Sequence, residues 1–307
     1  MITALAGGVG GARMLEGLTA VIDPSDITAV VNTGDDTIMH GLHISPDIDT
    51  VTYKLAGIAN KETGWGIQDD TWEVMDALLR LGGETWFRLG DKDLATHLFR
   101  TQRLREGATL TTVTLEVARA LGVAVRILPM SDDPVSTKLD SKDGIELEFQ
   151  EYFVKLRHSV PIAKVRYVGA DRARAAPGVL SSLEDASKIV ICPSNPILSI
   201  GPIKAVPEIG KSLLTYRDKT VAISPIISGR ALRGPADHLL AELGYEPSVV
   251  GVAALYSEFA KTLIIDEADR DLAQAVEKQG INCFVAPTVM NSRDDAVRLA
   301  SNVLTLP

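Results

Sequence analysis

Four glycines stand close together near the start of the chain, at Gly7, Gly8, Gly10 and Gly11. They follow a short apolar run and precede a stretch with helical spacing, which predicts a strand, a tight turn and a helix N-terminus. Backbone N–H groups at such a turn bind phosphate, because glycine permits positive φ and carries no Cβ. Arg13 breaks the usual dinucleotide-binding spacing, so a turn that serves only close packing of helix on sheet stays open.

Two acidic pairs follow the next predicted strand, residues 27–33. Asp35 and Asp36 come directly after this strand, and Asp47 and Asp49 stand just ahead of a helical pattern. In an open parallel sheet, ligands bind beyond the carboxyl ends of the strands. These carboxylates are therefore candidate site residues, although one member of the second pair could simply cap its helix.

A third group of polar side chains follows the buried strand pattern at 188–192. Ser194, Asn195 and Ser199 lie in the segment that opens there. Small hydroxyl and amide side chains with free N–H groups suit a nucleotide phosphate or ribose. A further run, residues 94–105, carries Arg100, Arg103 and Arg105 and predicts either a solvated basic face or a helix that offers guanidinium groups to a diphosphate.

The elements that must position these residues alternate between strand and helix along the chain. This rhythm predicts an α/β fold, a Rossmann-like, mostly parallel sheet, and we interpret residues 1–307 as a single domain. Residues 57–120 are rich in helix formers and interrupted by glycines, which indicates a helical insertion or lid. Residues 135–170 alternate between polar and apolar side chains and predict a small antiparallel addition.

The composition limits the class of protein. The net charge of −9 argues against a nucleic-acid partner, and no apolar run approaches the length of a membrane span. The chain passes straight into a predicted strand without a secretory leader, so we expect it to be cytoplasmic. Cys192 and Cys283 both lie in apolar runs, as expected of core residues in a reducing compartment.

Taken together, the motifs resemble those of the 2-phospho-L-lactate transferase (CofD-like) family. Seven short motifs occur in the family order, at residues 7–11, 32–36, 45–50, 64–66, 89–97, 129–133 and 193–196. The resemblance covers nearly the whole chain. It implies a Rossmann-like fold and a step in the biosynthesis of the deazaflavin coenzyme F-420, in which a guanosine-diphosphate-activated phospholactate or phosphoenolpyruvate is the donor. The deazaflavin Fo is the acceptor, GMP leaves, and Mg²⁺ is required.

The resemblance also implies roles for particular residues. Asp49 and Arg88 match the positions that contact Fo, and Asp35, Asp36 and Asp49 match the metal-side carboxylates, with Asp49 and Asp36 as the expected catalytic residues. We expect the guanosine side to be lined by the N-terminal glycines together with Ser194, Asn195 and Ser199. Trp65 is our own inference for part of the deazaflavin platform, since a planar ring binds well on an aromatic face, and a core role is equally open to it. The family further suggests a homodimer.

Two other classes remain open at this stage. A related branch of the family binds nucleotide-sugars and acts in regulation, but the motifs at 64–66 and 91–97 favour the transferase. A dehydrogenase has less support, because the glycine spacing differs from that of a dinucleotide-binding turn. The sequence does not distinguish phospholactate from phosphoenolpyruvate as the transferred group.

Overall fold

A computed structural model describes residues 1–232 and 234–306 of the chain. Its strands, in chain order, are β1 Ile2–Ala6, β2 Ile27–Val31, β3 Thr37–Met39, β4 Leu42–Ile44, β5 Arg126–Pro129, β6 Ser136–Ser141, β7 Glu146–Glu148, β8 Ile162–Val168, β9 Lys188–Ile191, β10 Thr220–Ile223, β11 Ile226–Ile227, β12 Arg230–Ala231, β13 Thr262–Ile265 and β14 Asn282–Val285. Within the described residues, no helix is long and apolar enough to cross a bilayer.

Seven of these strands form one parallel sheet, in the spatial order β14-β13-β10-β9-β1-β2-β5. Apart from Lys188 at the start of β9, each of the inner strands is a short, continuous run of apolar and β-branched residues, as expected for strands covered on both faces. The chain runs outward from β1 to β2 and β5, then returns to β9 on the other side of β1. The topological switch point therefore lies between the ends of β1 and β9.

The described residues form twelve α-helices, most of which pack on the two faces of this sheet. They are α1 Gly8–Thr19, α2 Pro46–Leu55, α3 Glu73–Arg80, α4 Asp91–Arg105, α5 Leu110–Ala120, α6 Val179–Asp185, α7 Ile200–Ala205, α8 Pro207–Thr215, α9 Ala236–Glu242, α10 Val249–Tyr256, α11 Ala273–Glu277 and α12 Arg293–Thr305. Alternate residues of β1 enter two different apolar clusters: Ala4 packs with α1 and α12, and Leu5 packs with α6 to α10. The predicted α/β class with a mostly parallel sheet is confirmed.

Two regions stand outside the parallel sheet. The antiparallel addition predicted at 135–170 is a three-stranded sheet in the order β7-β6-β8, and a π-helical turn, Glu151–Lys155, connects β7 to β8. The region 57–120 contains α3, α4 and α5, and a small apolar cluster around Met75 and Leu94 packs the first two of these helices against the β3–β4 hairpin. Gln150 donates a hydrogen bond to the Asp35 carbonyl oxygen at 2.9 Å, which ties the addition to the end of β2.

Candidate active site

A large cleft lies across the carboxyl ends of the parallel strands. Its volume is about 850 Å³, and it extends from the loop after β2 to the loop after β14. The sequence-predicted residues that line it are Gly7, Gly8, Gly10, Asp35, Asp49, Trp65, Arg88, Ser194, Asn195 and Ser199. The structure thus brings most of the predicted site together at the switch point. Gly11 and Asp36 lie outside the lining.

The turn after β1 faces the segment after β9 across the switch point. The Gly7 N–H donates to Ser194 Oγ at 3.2 Å, and the Ser194 hydroxyl donates back to the Gly7 carbonyl at 2.7 Å. Gly8 adopts a φ of +62°, a conformation that side chains other than glycine rarely adopt. A Cβ at Gly7 would lie 2.6 Å from a carboxylate oxygen of Asp47, so no larger residue fits this position.

The other two glycines serve packing. A Cβ at Gly10 would lie 2.1 Å from the Pro193 carbonyl oxygen, and one at Gly11 would lie 2.9 Å from the Cβ of Ala6. Both contacts are with other parts of the protein. Close packing, the alternative interpretation of the turn, therefore accounts for glycine at these two positions. Gly10 still borders the cleft. The turn therefore combines two glycines that shape the cleft wall with two that allow α1 to approach the sheet.

Asn195 and Ser199 shape the wall opposite the glycine turn. The Asn195 carboxamide oxygen accepts hydrogen bonds from the backbone N–H groups of Ile197 and Leu198, each at 2.9 Å. This side chain therefore holds the loop ahead of α7 in place. The backbone N–H of Ser199 donates to the Asn195 carbonyl at 3.0 Å, which places the Ser199 side chain beside Gly7.

Asp35 and Asp47 converge on one amide group. The side-chain nitrogen of Asn32 donates to Asp35 Oδ1 at 3.1 Å and to Asp47 Oδ2 at 2.9 Å, while Asp47 also accepts the backbone N–H of Gly8. Neither Asp47 nor Asp49 caps its own helix, since Ser45 is the N-cap residue of α2 and no side chain makes a capping hydrogen bond there. Asp47, a member of the acidic pair, thus belongs to the site beside Asp35.

Burial controls the protonation of this acidic group. Loss of solvent raises the pKa of Asp35 well above its ordinary value, with further contributions from the charges of Asp47 and Asp36. Burial also raises the pKa of Asp47 to about 6 and raises that of Asp36, whose carboxylate accepts the Ser45 hydroxyl at 2.7 Å. Buried carboxylates that lie close together repel one another when they are ionised. A divalent cation bound between them would reduce this repulsion.

Asp49 has a different partner. Both of its carboxylate oxygens are bound by the guanidinium of Arg100, with NH1 donating to Oδ2 at 3.0 Å and NH2 donating to Oδ1. Arg100 lies on α4, and although burial works in the other direction, the Asp49 carboxylate raises the pKa of this guanidinium. The sequence shows three arginines in this helix, but it gives no sign that one of them is buried.

Next to this pair lies a second small cluster. The Tyr53 hydroxyl donates to Asp93 Oδ1 at 2.6 Å, and His97 Nε2 lies 3.3 Å from the same oxygen. Burial would raise the pKa of Asp93, but hydrogen bonding to His97 and Tyr53 lowers it. Ligand atoms of Asp49, Asp93 and His97 all lie within 4.8 Å of one another, which is close enough to share a cation.

The other two arginines of α4 are engaged at the surface. Arg103 binds the carboxylates of Glu116 and Glu106, and Arg105 donates to the Gly41 carbonyl at 3.1 Å. Among the described residues, none of these three guanidinium groups lies in the lining of the cleft. The interpretation of α4 as a helix that offers guanidinium groups to a diphosphate is therefore wrong. Arg100 forms a buried ion pair, and Arg103 and Arg105 make contacts at the surface.

The far side of the cleft is aromatic. Trp65 is 52% exposed and lines the cleft together with Trp86 and Arg88. The Arg88 guanidinium lies over the ring of Trp72, 4.7 Å from its centroid, and contacts Asp76 at 3.2 Å. An exposed guanidinium beside aromatic rings suits a planar, polar ligand.

Phe149 and Phe153 complete this wall from the antiparallel addition. Their rings stack with centroids 5.5 Å apart and an interplanar angle of 10°, and both line the cleft. Lys155, on the same π-helical turn, places its ammonium 5.5 Å from the centre of the Trp86 ring. From the sequence alone, Phe153 is open to two interpretations, a wall of the site or plain surface, and the alternating pattern gives no indication that Phe149 reaches the cleft.

The fold and the cleft define a Rossmann-like α/β protein with a ligand site at the switch point of its sheet. Comparison with known proteins identifies the family. A model of the family described as 2-phospho-L-lactate transferase CofD matches residues 2–299, so the chain belongs to this family of transferases. The resemblance seen in the seven sequence motifs is thereby confirmed.

Curated relatives cover nearly the full chain. A phosphoenolpyruvate transferase of Kitasatospora aureofaciens is 42% identical over 311 residues, covering 99% of this chain and 97% of the relative. A 2-phospho-L-lactate transferase of Methanosarcina mazei is 38% identical over 299 residues, covering 97% and 98%. The crystal structure of a UPF0052-family protein from Bacillus halodurans has a TM-score of 0.63 at 16% identity, covering 99% and 98%, which shows a shared fold.

Proposed function

We propose that the protein transfers the phospholactyl or phosphoenolpyruvyl group of a guanosine-diphosphate-activated donor to the ribityl hydroxyl of Fo, with release of GMP. The observation that carries this proposal is the division of one cleft into a glycine turn with buried carboxylates at the switch point and an aromatic wall with Arg88 opposite. A volume of about 850 Å³ lies near the upper end of the range for single-ligand pockets, which suits two substrates bound together.

The donor belongs on the switch-point side. Gly7 and Gly8 bring backbone close to the cleft, and Ser194 and Ser199 stand across from them. The N-terminus of α1 directs its dipole to the same point, which favours a phosphate group. We therefore place the diphosphate between the glycine turn and the loop after β9, with the nucleoside extending over β10 toward β14.

The residues on this side fit a magnesium ion. The Asp47 carboxylate accepts the Gly8 N–H, and the Asp47 and Asp35 carboxylates share one amide donor. Because a diphosphate is also negatively charged, binding it beside these carboxylates needs a positive charge between them. Mg²⁺ favours one or two carboxylates together with water and substrate phosphates. We propose Asp35 and Asp47 as the residues that hold it. When bound, the ion supplies neutralisation of the phosphate charge during transfer.

Two residues of the initial magnesium assignment differ from this pair. Asp36 lies outside the cleft lining and accepts the Ser45 hydroxyl, and Asp49 already has the Arg100 guanidinium on both oxygens. Since a guanidinium provides the positive charge at Asp49, we assign Asp49 to the acceptor hydroxyl. In the transfer, a bond forms between the ribityl oxygen and the donor phosphorus, the bond from that phosphorus to the GMP oxygen breaks, and the hydroxyl proton passes to Asp49.

The acceptor ring belongs against the aromatic wall. Trp65, Trp86 and Phe153 provide faces on which a planar deazaflavin can stack, and Arg88 provides donors for its polar edge. The relatives' names include both phosphoenolpyruvate and 2-phospho-L-lactate transferases. We therefore propose a three-carbon acid phosphate as the transferred group. The family resemblance alone supports our further proposal of a homodimer as the working form.

The Arg88 side chain offers a direct test of this arrangement. Arg88→Ala is expected to raise the KM for Fo about tenfold or more and to change the KM for the donor less than twofold, because the side chain lies on the acceptor side. Arg80→Ala is the matched control, since Arg80 is exposed at the end of α3 and outside the cleft lining. Steady-state kinetics with each substrate varied in turn provides the measurement. A larger effect on the donor than on Fo would reject the placement of the acceptor.

A further inference from the structure

Arg100 is among the largest side chains that are fully buried in the described part of the chain. It is 1% exposed, it lies in the third turn of α4, and it does not line the cleft. Burying a guanidinium without a partner is strongly unfavourable because the charge loses its hydration, so a carboxylate has to accompany it. Asp49 is that carboxylate, and it does line the cleft.

The contact between the Arg100 guanidinium and the Asp49 carboxylate fixes both the position of the carboxylate and the direction in which it points. The planar guanidinium engages both Asp49 oxygens, and its NH1 also lies 3.2 Å from His97 Nδ1 and 3.4 Å from the His43 carbonyl oxygen. Asp93 and Tyr53 enclose the other side of His97. A two-point contact fixes the plane of a carboxylate in a way that a single ammonium contact does not.

A purely structural role does not account for this arrangement. A well-packed apolar pair of similar volume is often as stable as a buried ion pair, so stability alone gives no reason for a charged group here. The cation site suggested by Asp49, Asp93 and His97 is also unnecessary, because Arg100 already places a positive charge on Asp49. What the ion pair adds is a single orientation for a carboxylate at the cleft surface.

We propose that Arg100 is a positioning residue, which fixes the Asp49 carboxylate in the direction that receives the attacking hydroxyl of the acceptor. This inference rests on the proposed function, because it concerns the acceptor side of the same site. It assigns no contact between Arg100 and substrate. It follows that turnover depends on the orientation that the guanidinium gives to the Asp49 carboxylate, and not only on the positive charge that it provides.

The Arg100→Lys variant tests the proposal, since lysine keeps the charge but loses the planar two-point contact. We expect kcat to fall at least tenfold with Fo as acceptor, while the KM for the donor changes less than twofold. Arg103→Lys is the matched control on the same helix, where the ion pairs lie at the surface, and it should leave kcat unchanged. Thermal unfolding of each variant shows whether the fold is retained.

A double-mutant cycle separates positioning from general loosening of the helix. If Arg100 acts through Asp49, then adding Arg100→Lys to Asp49→Asn should lower kcat by less than twofold further. Full additivity of the two losses would overturn the proposal, as would a folded Arg100→Lys variant with parental kcat. Equal losses in donor and acceptor kinetics would also overturn it.

Crystal structures of the parent and of Arg100→Lys provide a readout that does not require turnover. The proposal predicts that the Asp49 carboxylate turns away from its parental orientation in the variant, and an unchanged carboxylate would overturn it. Parental protein that fails to convert Fo with either guanylylated donor contradicts the proposed function. In that case the crystallographic comparison still decides whether Arg100 orients Asp49.

Discussion

At the scale of single residues, the site depends on how each carboxylate is neutralised. Asp35 and Asp47 share the amide of Asn32, whereas Asp49 has a guanidinium on both of its oxygens. The first arrangement brings two buried carboxyl groups together whose ionised forms repel one another, and the second pairs a carboxylate with a positive charge. Under the proposed function, this contrast separates a donor side that a cation would neutralise from an acceptor side that already has a guanidinium.

Asp47 provides a pH-dependent test of the donor side. Its ordinary pKa of 3.8 rises to about 6 in the folded protein, so the folded state holds the proton more tightly. Stability from this group is fully present below pH 3.8 and is lost as the pH rises through about 6. In EDTA at pH 7.5, Asp47→Asn should therefore be more stable than the parent by about 1–2 kcal/mol, a value below the full linkage energy because amide contacts are rearranged.

Thermal unfolding across pH, with and without Mg²⁺, measures both parts of this prediction. Mg²⁺ should raise the Tm of the parent and of the exposed control Asp143→Asn, and it should have little effect on Asp47→Asn. The stability difference between Asp47→Asn and the parent should shrink as the pH falls toward 4. A variant that is less stable than the parent at every pH, or one that Mg²⁺ stabilises as much as the parent, would contradict the assignment.

At the scale of elements, α7 and α10 pack around the ammonium group of a lysine, Lys204. Lys204 on α7 places its ammonium 4.2 Å from the ring centre of Phe259 and donates to the Leu255 carbonyl at 3.1 Å. Burial lowers the pKa of Lys204 from 10.5 to about 8. The unfolded chain therefore binds the proton more tightly than the folded protein does.

Lys204→Met is expected to stabilise the protein by about 1–2 kcal/mol at pH 7, since methionine fills a similar volume without a buried charge. The stability that Lys204 provides is present above pH 10.5 and is lost as the pH falls through about 8, so the advantage of the variant should diminish as the pH rises from 8 to 10. Urea unfolding over this range provides the measurement, with Lys211→Met on the exposed face of α8 as control. No gain at pH 7, or a gain that grows with pH, would contradict this account.

The elements also show where sequence reasoning works. Strands such as β1, β2 and β10 are short apolar runs followed directly by Gly, Asn or Ser, so their existence can be read from the pattern, although the strand predicted at 27–33 already ends at Val31. The β3–β4 hairpin is not predicted, although its turn residues His40 and Gly41 both have positive φ, as a two-residue hairpin turn requires. Its strands are only three residues long, and the acidic pairs on either side of it favour an interpretation of this segment as part of the site.

Between the strand patterns at 261–265 and 282–286, residues 268–279 predict a single helix, and this prediction is wrong in form. Residues Glu267–Leu272 form a 3-10 helix, and the α-helix α11 covers only Ala273–Glu277. Asp269, in the first of these, has non-helical dihedral angles, and its carboxylate accepts the backbone N–H of Ser228 from the loop after β11. A tertiary hydrogen bond therefore overrides local helical preference, and the sequence carries no signal for it.

The site shows the same division between local and tertiary information. Gly7, Ser194 and Asp35 are predictable because each lies in the segment that follows a parallel strand. The burial of Arg100 and the position of Phe153 depend on how α4 and the antiparallel addition dock on the sheet. These contacts join residues far apart in sequence, so no local pattern reports them.

At the scale of the whole molecule, one parallel sheet supplies the proposed donor side of the cleft, and two additions to it supply most of the proposed acceptor side. The region 57–120 provides Trp65 and Arg88, and the antiparallel sheet provides Phe153. Lys155 and Trp86 bring these two additions together over the cleft. This arrangement predicts that both substrates bind at once and that transfer occurs where the additions meet the strand ends.

The most direct test of this account is a product analysis by mass spectrometry. The protein is incubated with Fo, Mg²⁺ and either guanylylated phospholactate or guanylylated phosphoenolpyruvate, and Fo-derived products and GMP are quantified together over time. The account predicts that at least one donor converts Fo to a phosphodiester carrying the three-carbon acid, with one GMP released for each product formed, and that EDTA abolishes the conversion. Unchanged Fo with both donors, or product formed without an equal amount of GMP, would contradict it.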